Sequence, residues 1–175
     1  MTRLLAALVL IAFVLVSFAT KRELLRRERD ADALPLGSIA PPLALPDRDG
    51  RIVRLDAVVG QHKAVVLTFW ATWCTPCRIE LPELETLYHK RRNEGLALLA
   101  INEDDNETHV SEFLQDHAMP FPVLFDAEHD AAAAYRVRAF PTTVLIDRQG
   151  KIVQIFDGFS AGLEQHVEAL LKERS

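Results

Sequence analysis

The stretch VVLTFWATWCTPCRIELPEL, residues 65–84, contains the only two cysteines of the chain, Cys74 and Cys77. It begins within a continuous apolar and β-branched run, KAVVLTFW (63–70), which predicts a buried central strand. From Thr75 onward the pattern predicts a helix. Cys74 is therefore expected where a buried strand passes into a helix, with its sulfur at the helix N-terminus.

This position allows two interpretations of the cysteine pair. As small apolar residues, the two thiols could fill the core, where free cysteine packs well. As a redox pair, Cys74 gains from the unpaired N–H groups and the positive dipole end of the helix, which favour a thiolate. Pro76 fits the first helical turn, where its missing N–H is not needed. We predict that Cys74 is a nucleophile and that Cys77, one turn further and directed inward, is the resolving thiol.

Metal binding is the main competing use of a C-x-x-C motif. A structural zinc site needs two further ligands, usually from a second C-x-x-C motif or a histidine pair. The chain has no third cysteine, and its six histidines show no H-x₃₋₅-H spacing (62, 89, 109, 117, 129 and 166). We therefore expect no metal site and no cofactor.

The charge of the chain bears on its partners. The net charge is −5. Residues 36–175 hold 14 Lys and Arg against 21 Asp and Glu, a net charge of −7. Nucleic-acid binding requires a clustered basic face, whereas the basic residues here are scattered, so we expect no nucleic-acid partner. A length of 175 residues with 49% hydrophobic residues suits one domain plus an appendage.

Apolar runs and turn residues predict the remaining elements. Asp49-Gly50, a favoured turn dipeptide, predicts a β-hairpin within 43–60. The helix after the cysteines is predicted to run to about Asn93 and to end at Gly95. Strands are further predicted at 96–102, 121–126, 142–147 and 151–157, and helices at 107–118, 128–136 and 161–173. This alternation, ending in a hairpin, predicts an α/β fold with a central mixed sheet flanked by helices.

Motifs far apart in the sequence agree on a family. The segments FWATWCTPC (69–77) and AFPTTVLID (139–147), together with Pro82 in the intervening helix, resemble the thioredoxin fold. An extra helix and strand, roughly 107–126, the N-terminal hairpin and the apolar N-terminus resemble the TlpA/ResA-type thiol-disulfide oxidoreductases. Many members of that group serve cytochrome c maturation. The resemblance covers about residues 36–173.

The resemblance implies that Cys74 and Cys77 form a redox-active disulfide, and it points to a third catalytic residue. Plain thioredoxins carry a buried aspartate six residues before the first cysteine, and this chain has Thr68 there. TlpA/ResA-type proteins often place a glutamate three residues after the second cysteine, where this chain has Glu80. Glu80 and Cys77 share a helix face, so a partly buried Glu80 could exchange the proton of Cys77, its pKa raised by desolvation. The alternative is an exposed glutamate paired with Lys or Arg in solvent.

The resemblance also implies a substrate-binding rim. Pro141 stands where the family carries a cis-proline, although a proline at the start of a strand is in itself unremarkable. In a thioredoxin-like fold, Phe140 and Pro141 would lie beside the dithiol. The backbone before the proline could then pair with an extended substrate peptide, and the ring would keep metal from the sulfurs. Trp73 would form part of the exposed rim.

The N-terminal sequence has a different character. An almost unbroken apolar run from Leu4 to Ala19 corresponds to about 24 Å of helix at roughly 1.5 Å per residue. That length falls between a signal-peptide core and a full membrane span. We expect residues 1–20 to be a membrane anchor or signal segment, 21–35 a charged stalk or linker, and 36–175 the thioredoxin-like domain.

The side of the membrane is a separate question. The basic residues that follow the apolar run would, by the positive-inside rule, place the domain in the cytoplasm. Against this, the resemblance places such domains on the outer face, and protein disulfides are rare in the cytosol. We therefore expect a single-pass protein of the inner membrane whose domain faces the periplasm or another extracytoplasmic space.

The expected function is the reduction of disulfides in other proteins, with cytochrome c biogenesis as one setting and a membrane protein as electron donor. Two alternatives stay open. A peroxiredoxin-like peroxidase uses a P-x-x-x-[ST]-x-x-C motif, but Ala71 stands three residues before Cys74. A thioredoxin-like copper-delivery module would need a wider cysteine spacing and a partner histidine, and Pro141 should hinder access of the metal.

Overall fold

A five-stranded mixed sheet organises the chain from Pro35 onward. The computed structural model describes residues 13–18, 20–23 and 34–173. The strands are β1 (Ala44–Pro46), β2 (Ile52–Arg54), β3 (Ala64–Trp70), β4 (Leu96–Asn102), β5 (Val123–Phe125), β6 (Thr142–Asp147) and β7 (Ile152–Asp157). The helices are α1 (Leu55–Val59), α2 (Thr75–Arg91), α3 (Glu107–Asp116), α4 (Asp130–Ala134) and α5 (Leu163–Lys172), with a 3₁₀ turn at Arg92–Glu94.

The pairing of the strands confirms the predicted mixed sheet. Strands β3, β4 and β5 run parallel to one another, whereas β6 is antiparallel to both β3 and β7. All seven residues of β3 and all seven of β4 are buried. Strands covered on both faces carry continuous apolar runs, which explains why these two were predicted without alternation.

Two predicted elements are shortened to about half their length in the structure. The strand predicted at 121–126 is reduced to β5, which begins directly after Pro122. Proline has no N–H to donate, so Pro122 contributes only its carbonyl, which accepts the Ala100 N–H at 3.0 Å. The helix predicted at 128–136 is reduced to α4. Arg136 lies beyond its end with φ of 55°, a left-handed conformation that a regular helix does not accommodate.

The predicted N-terminal hairpin is present as the antiparallel pair β1–β2. Its turn is held by Asp47, whose Oδ1 accepts the N–H groups of Asp49 and Arg51 at 2.8 and 2.9 Å. Gly50 supplies the positive φ of 76° that this turn requires. The hairpin was predicted too long at its C-terminal end, because residues 55–59 form helix α1 rather than strand.

Helix α2 carries the cysteine pair onto the sheet. Its inner face buries Leu81, Leu84 and Leu87 in the same core cluster as the apolar face of α5. The helix passes into the 3₁₀ turn and ends at Gly95, whose φ of 111° confirms the predicted stop. The inserted α3 and β5 extend the sheet at its β4 edge, as the resemblance implied.

The N-terminal residues form a separate unit, Met1–Leu34, of which 13–18 and 20–23 are described as helical. The predicted anchor at 1–20 and stalk at 21–35 lie largely outside the described residues. Within the described ranges, none of the helices combines the length and apolarity that crossing a membrane requires.

Candidate active site

The cysteine pair lies where β3 passes into α2. A turn over residues 71–74 joins them, with the Cys74 N–H donating to the Ala71 carbonyl at 3.2 Å. Cys74 is the N-cap residue of the helix, and its Sγ accepts the N–H of Cys77 at 3.2 Å. The two sulfurs are joined in a disulfide of 2.05 Å, and both cysteines are buried. When this bond is reduced, the same N–H group and the helix dipole favour a thiolate on Cys74.

Glu80 lies on the same helix, three residues after Cys77, and only 1% of it is exposed. Its Oε1 accepts the backbone N–H of Ser160 at 2.7 Å, and its Oε2 lies 3.5 Å from the Thr143 hydroxyl. Burial raises the pKa of the Glu80 carboxyl, and the hydrogen bonds from Ser160 and Thr143 oppose part of that rise. A carboxyl of this kind can take up and return a proton nearer neutral pH than an exposed glutamate.

A short row of polar side chains continues from Glu80 across the sheet. The Thr143 hydroxyl lies 3.2 Å from that of Thr68, and both residues are buried on neighbouring strands in register. The Thr143 hydroxyl has one proton to donate, which can go to the Thr68 hydroxyl or to Glu80. Thr68 stands where plain thioredoxins carry an aspartate. Because a threonine hydroxyl is neutral, Glu80 is the one ionisable group among Glu80, Thr143 and Thr68.

Sequence reasoning missed Thr143 and Ser160. The signal for Thr143 was available, because two adjacent threonines interrupt the apolar character of a predicted buried strand, and one of them must face inward. Ser160 gave little signal, since its backbone N–H, which any residue except proline carries, reaches Glu80 from the loop after β7, and a single serine hydroxyl in a loop is ordinary.

An aromatic rim lies beside the disulfide. Trp73, directly before Cys74, is 67% exposed, and its ring packs edge-on against Phe140 with centroids 5.7 Å apart. The Phe140–Pro141 peptide bond is cis, and the Pro141 carbonyl accepts the Gly158 N–H at 2.8 Å. The structure thus brings Trp73, Phe140 and Pro141, predicted as substrate-binding residues, together where β3 ends and the neighbouring β6 begins.

A second buried carboxyl lies at the end of β4 and was not predicted. Oε2 of Glu103 lies 2.8 Å from Nδ1 of His129, whose Nε2 lies 3.0 Å from Oδ1 of Asp105. Oε1 of Glu103 is buried near the Asp126 carboxylate and finds no donor among the described residues. Burial foremost raises the pKa of Glu103 to about 8, and the hydrogen bonds that the His129 ring donates to Glu103 and Asp105 raise the pKa of His129.

His129 is 26 positions from Glu103 and 24 from Asp105, and nothing in this spacing links it to them. In the sequence, the run Glu103-Asp104-Asp105 is indistinguishable from a solvated acidic loop. Only the fold, which places α4 beside the carboxyl ends of β4 and β5, brings His129 to Glu103.

Comparisons with known proteins agree with this geometry. The profile of the AhpC/TSA family matches residues 36–155. The thiol-disulfide oxidoreductase ResA of Geobacillus thermodenitrificans is 36% identical over 140 residues, which cover 79% of each chain. ResA of Bacillus subtilis is 34% identical over 127 residues, 73% of this chain and 70% of that protein. A crystal structure from Chlorobium tepidum, provisionally assigned as the thiol:disulfide interchange protein DsbE, superposes with a TM-score of 0.75 at 35% identity, covering 79% of this chain and 99% of the other.

Proposed function

Because the chain belongs to the AhpC/TSA family and is a thiol-disulfide oxidoreductase, we propose that it reduces the disulfides of other proteins outside the cytoplasm. One observation carries this proposal: a cysteine pair at a helix N-terminus has a buried carboxyl on the same helix, three residues further on. That arrangement contains a nucleophile, a resolving thiol and a proton acceptor within a single rigid element.

The reduction proceeds in two exchanges. The Cys74 thiolate attacks one sulfur of a substrate disulfide, the substrate S–S bond breaks, and the departing thiolate takes a proton. The Cys77 thiol then gives its proton to the Glu80 carboxylate and attacks the Cys74 sulfur. The mixed disulfide breaks, the Cys74–Cys77 disulfide forms, and the second substrate thiolate takes up a proton. The substrate gains two electrons and two protons, one proton released by Cys77 through Glu80 and the other taken from solvent. A dithiol of an electron-donor protein then restores the reduced enzyme.

The aromatic rim suits a polypeptide substrate. Exposed Trp73 offers a large apolar surface directly beside Cys74. The cis bond before Pro141 presents Phe140 and its backbone beside Trp73, where an extended segment around a substrate cysteine can pair. The resemblance to TlpA/ResA-type proteins supports apocytochrome c as substrate, and a membrane protein as electron donor.

Trapping of intermediates tests the assigned roles. Cys77→Ser leaves the nucleophile without its resolving thiol, so it should accumulate mixed disulfides with partner proteins on a non-reducing gel. Cys74→Ser removes the nucleophile and should accumulate almost none. Equal trapping by both variants would contradict the division of labour. Failure of the reduced wild-type protein to reduce insulin disulfides, accompanied by stoichiometric copper binding, would favour the copper-delivery alternative instead.

The proposed location rests on the apolar N-terminal run and on the need for targets that hold disulfides. A fusion of alkaline phosphatase after Ser175 should be active in the bacterial host, and the corresponding green fluorescent protein fusion should be dark. The reverse pattern would place the domain in the cytoplasm and make a cytosolic reductant the better assignment.

A further inference from the structure

The turn that presents Cys74 is held from outside by a carboxylate. Thr72, the second residue of the turn over 71–74, donates its backbone N–H to Oδ2 of Asp104 at 2.7 Å. Its hydroxyl donates to Oδ1 of the same carboxylate at 2.6 Å. Two donors of one residue thus meet both oxygens of one buried acid, and hydrogen bonds to an ionised acceptor are about twice as strong as neutral ones.

Asp104 is itself fixed in place. The side-chain amide of Asn102, the last residue of β4, donates to Oδ2 of Asp104 at 2.8 Å. In return, the Asp104 N–H donates to Oδ1 of Asn102 at 3.2 Å. The Glu103 N–H adds a further tie between the two strand ends, to the Trp70 carbonyl at 2.9 Å. The carboxylate is therefore an extension of the rigid sheet rather than a mobile side chain.

We infer that Asp104 is a positioning residue for the dithiol, acting through Thr72 on the turn that carries Trp73 and Cys74. This inference rests on the proposed function, since it concerns the geometry of the same cysteine pair. Fixing Thr72 fixes the direction in which the chain leaves β3, and with it the place of the nucleophile and of the rim residue.

The two hydrogen bonds between Thr72 and Asp104, called the clamp below, matter to different extents in the two redox forms. In the oxidised protein, the Cys74–Cys77 bond also restrains the turn, because it ties Cys74 to the first turn of α2. In the reduced protein that covalent restraint is absent, so the conformation of the turn depends more on the hydrogen bonds between Thr72 and Asp104. Loss of the clamp should therefore destabilise the reduced form more than the oxidised form, which shifts the thiol-disulfide equilibrium toward the disulfide.

The test uses Thr72, because Asp104→Ala would leave a buried N–H unpaired and could prevent folding. Thr72→Val keeps the shape and the backbone hydrogen bond but removes the hydroxyl donor. We expect the equilibrium constant with glutathione to move about tenfold toward the disulfide, which corresponds to roughly 30 mV for a two-electron couple. Mixed-disulfide formation by Cys74 should slow by a similar factor. Thr72→Ser, which restores the hydroxyl, should stay within about twofold of wild type on both measures.

A matched control is available at Asp147, whose Oδ1 accepts the N–H groups of Gln149 and Lys151 at 2.8 and 2.9 Å in the turn after β6. Asp147→Asn should lower the melting temperature in both redox forms equally and leave the equilibrium with glutathione unchanged. If Thr72→Val behaved in the same way, Asp104 would be a structural residue only, and the inference would be overturned. The reduction of insulin by wild-type protein tests the proposed function independently, because it uses none of these variants.

Discussion

Two buried glutamates, Glu80 on α2 and Glu103 after β4, have similar burial and different surroundings. They are 1% and 3% exposed, and burial is the main cause of the raised pKa in both. Glu80 is met by neutral groups, the Ser160 N–H and the Thr143 hydroxyl. Glu103 is met by the imidazole of His129 on one oxygen and by the Asp126 carboxylate near the other.

The different surroundings determine which buried glutamate can exchange a proton during a reaction. Glu80 can gain or lose a proton without breaking a contact to another ionisable group, so its protonation can follow the state of the neighbouring thiol. A proton on Glu103 lies between two carboxylates and beside an imidazole, so its loss would leave two like charges facing each other. We therefore propose that Glu80 serves the reaction and that Glu103 serves the stability of the fold.

Replacement of Glu80 should have the largest effect, on the rate of the resolving step. Glu80→Gln preserves the shape and can still accept the Ser160 N–H, but it cannot take the Cys77 proton. We expect the resolving step to slow by about a hundredfold, within the range of general acid–base catalysis. The pH–rate profile should move to higher pH, while the melting temperature changes little. Stopped-flow measurement of dithiol oxidation between pH 5 and 9 checks both.

Glu103→Gln is the matched control for that experiment, being the same chemical change at a site of similar burial. Its rate of dithiol oxidation should stay within about twofold of wild type at each pH. A loss of rate as large as that of Glu80→Gln would remove the distinction between the two acids.

The second prediction concerns the free energy of unfolding, on which Glu103→Gln should have a larger effect than Glu80→Gln. The folded protein keeps a proton on Glu103 up to about pH 8, whereas the unfolded chain releases it near 4.5. The folded state thus holds more protons in this window, and the free energy of unfolding should fall as pH rises from 4.5 to 8. Glu103→Gln imitates the protonated acid, donating toward Asp126, and should stabilise the protein by about 1–2 kcal/mol at pH 8.

Urea unfolding at pH 5, 6.5 and 8 measures this effect. The gain should shrink toward pH 5, where wild-type Glu103 is protonated in the folded state as well. A constant difference between variant and wild type across the three values would show that Glu103 does not titrate in this window.

The smallest effect is expected for the partner of Glu103. His129 has a raised pKa, so its contribution to stability is present below about pH 6.5 and is lost as pH rises through its folded pKa. Its side chain is 45% exposed, so solvent screens part of the interaction. His129→Asn should cost about 0.5–1 kcal/mol at pH 6 and less at pH 9. Asparagine is a suitable replacement because it tolerates the left-handed φ of 56° at this position.

Local patterns were sufficient to predict most of the fold. The buried strands β3 and β4 are continuous apolar runs, and the end of α2 carries its glycine stop, so each could be identified from its own residues. The dithiol was found in the same way, because its chemistry depends on two residues one helical turn apart. Glu80 required the resemblance, since an isolated helix glutamate is ordinarily exposed.

The remaining contacts could not be predicted because they join positions that only the sheet brings together. Thr72 and Asp104 are 32 residues apart and meet across the ends of two parallel strands. Glu103 and His129 meet because α4 returns to the carboxyl edge of β4 and β5. No local periodicity records such pairs. Helix α1 was missed for another reason, since its five residues are too few to establish a period.

The bond from the Ser160 backbone to Glu80 has a consequence for how the sequence can diverge. The donor is a peptide N–H, which every amino acid except proline supplies, so this bond can survive replacement of residue 160. The Ser160 side chain adds a second hydrogen bond that lowers the pKa of Glu80, and only a residue with a comparable donor would keep it. The nearly buried position limits the replacement to small side chains. Within that limit, a residue without a hydroxyl would raise the pKa of Glu80 further but leave its backbone hydrogen bond intact. Proline is the single replacement that would disconnect it.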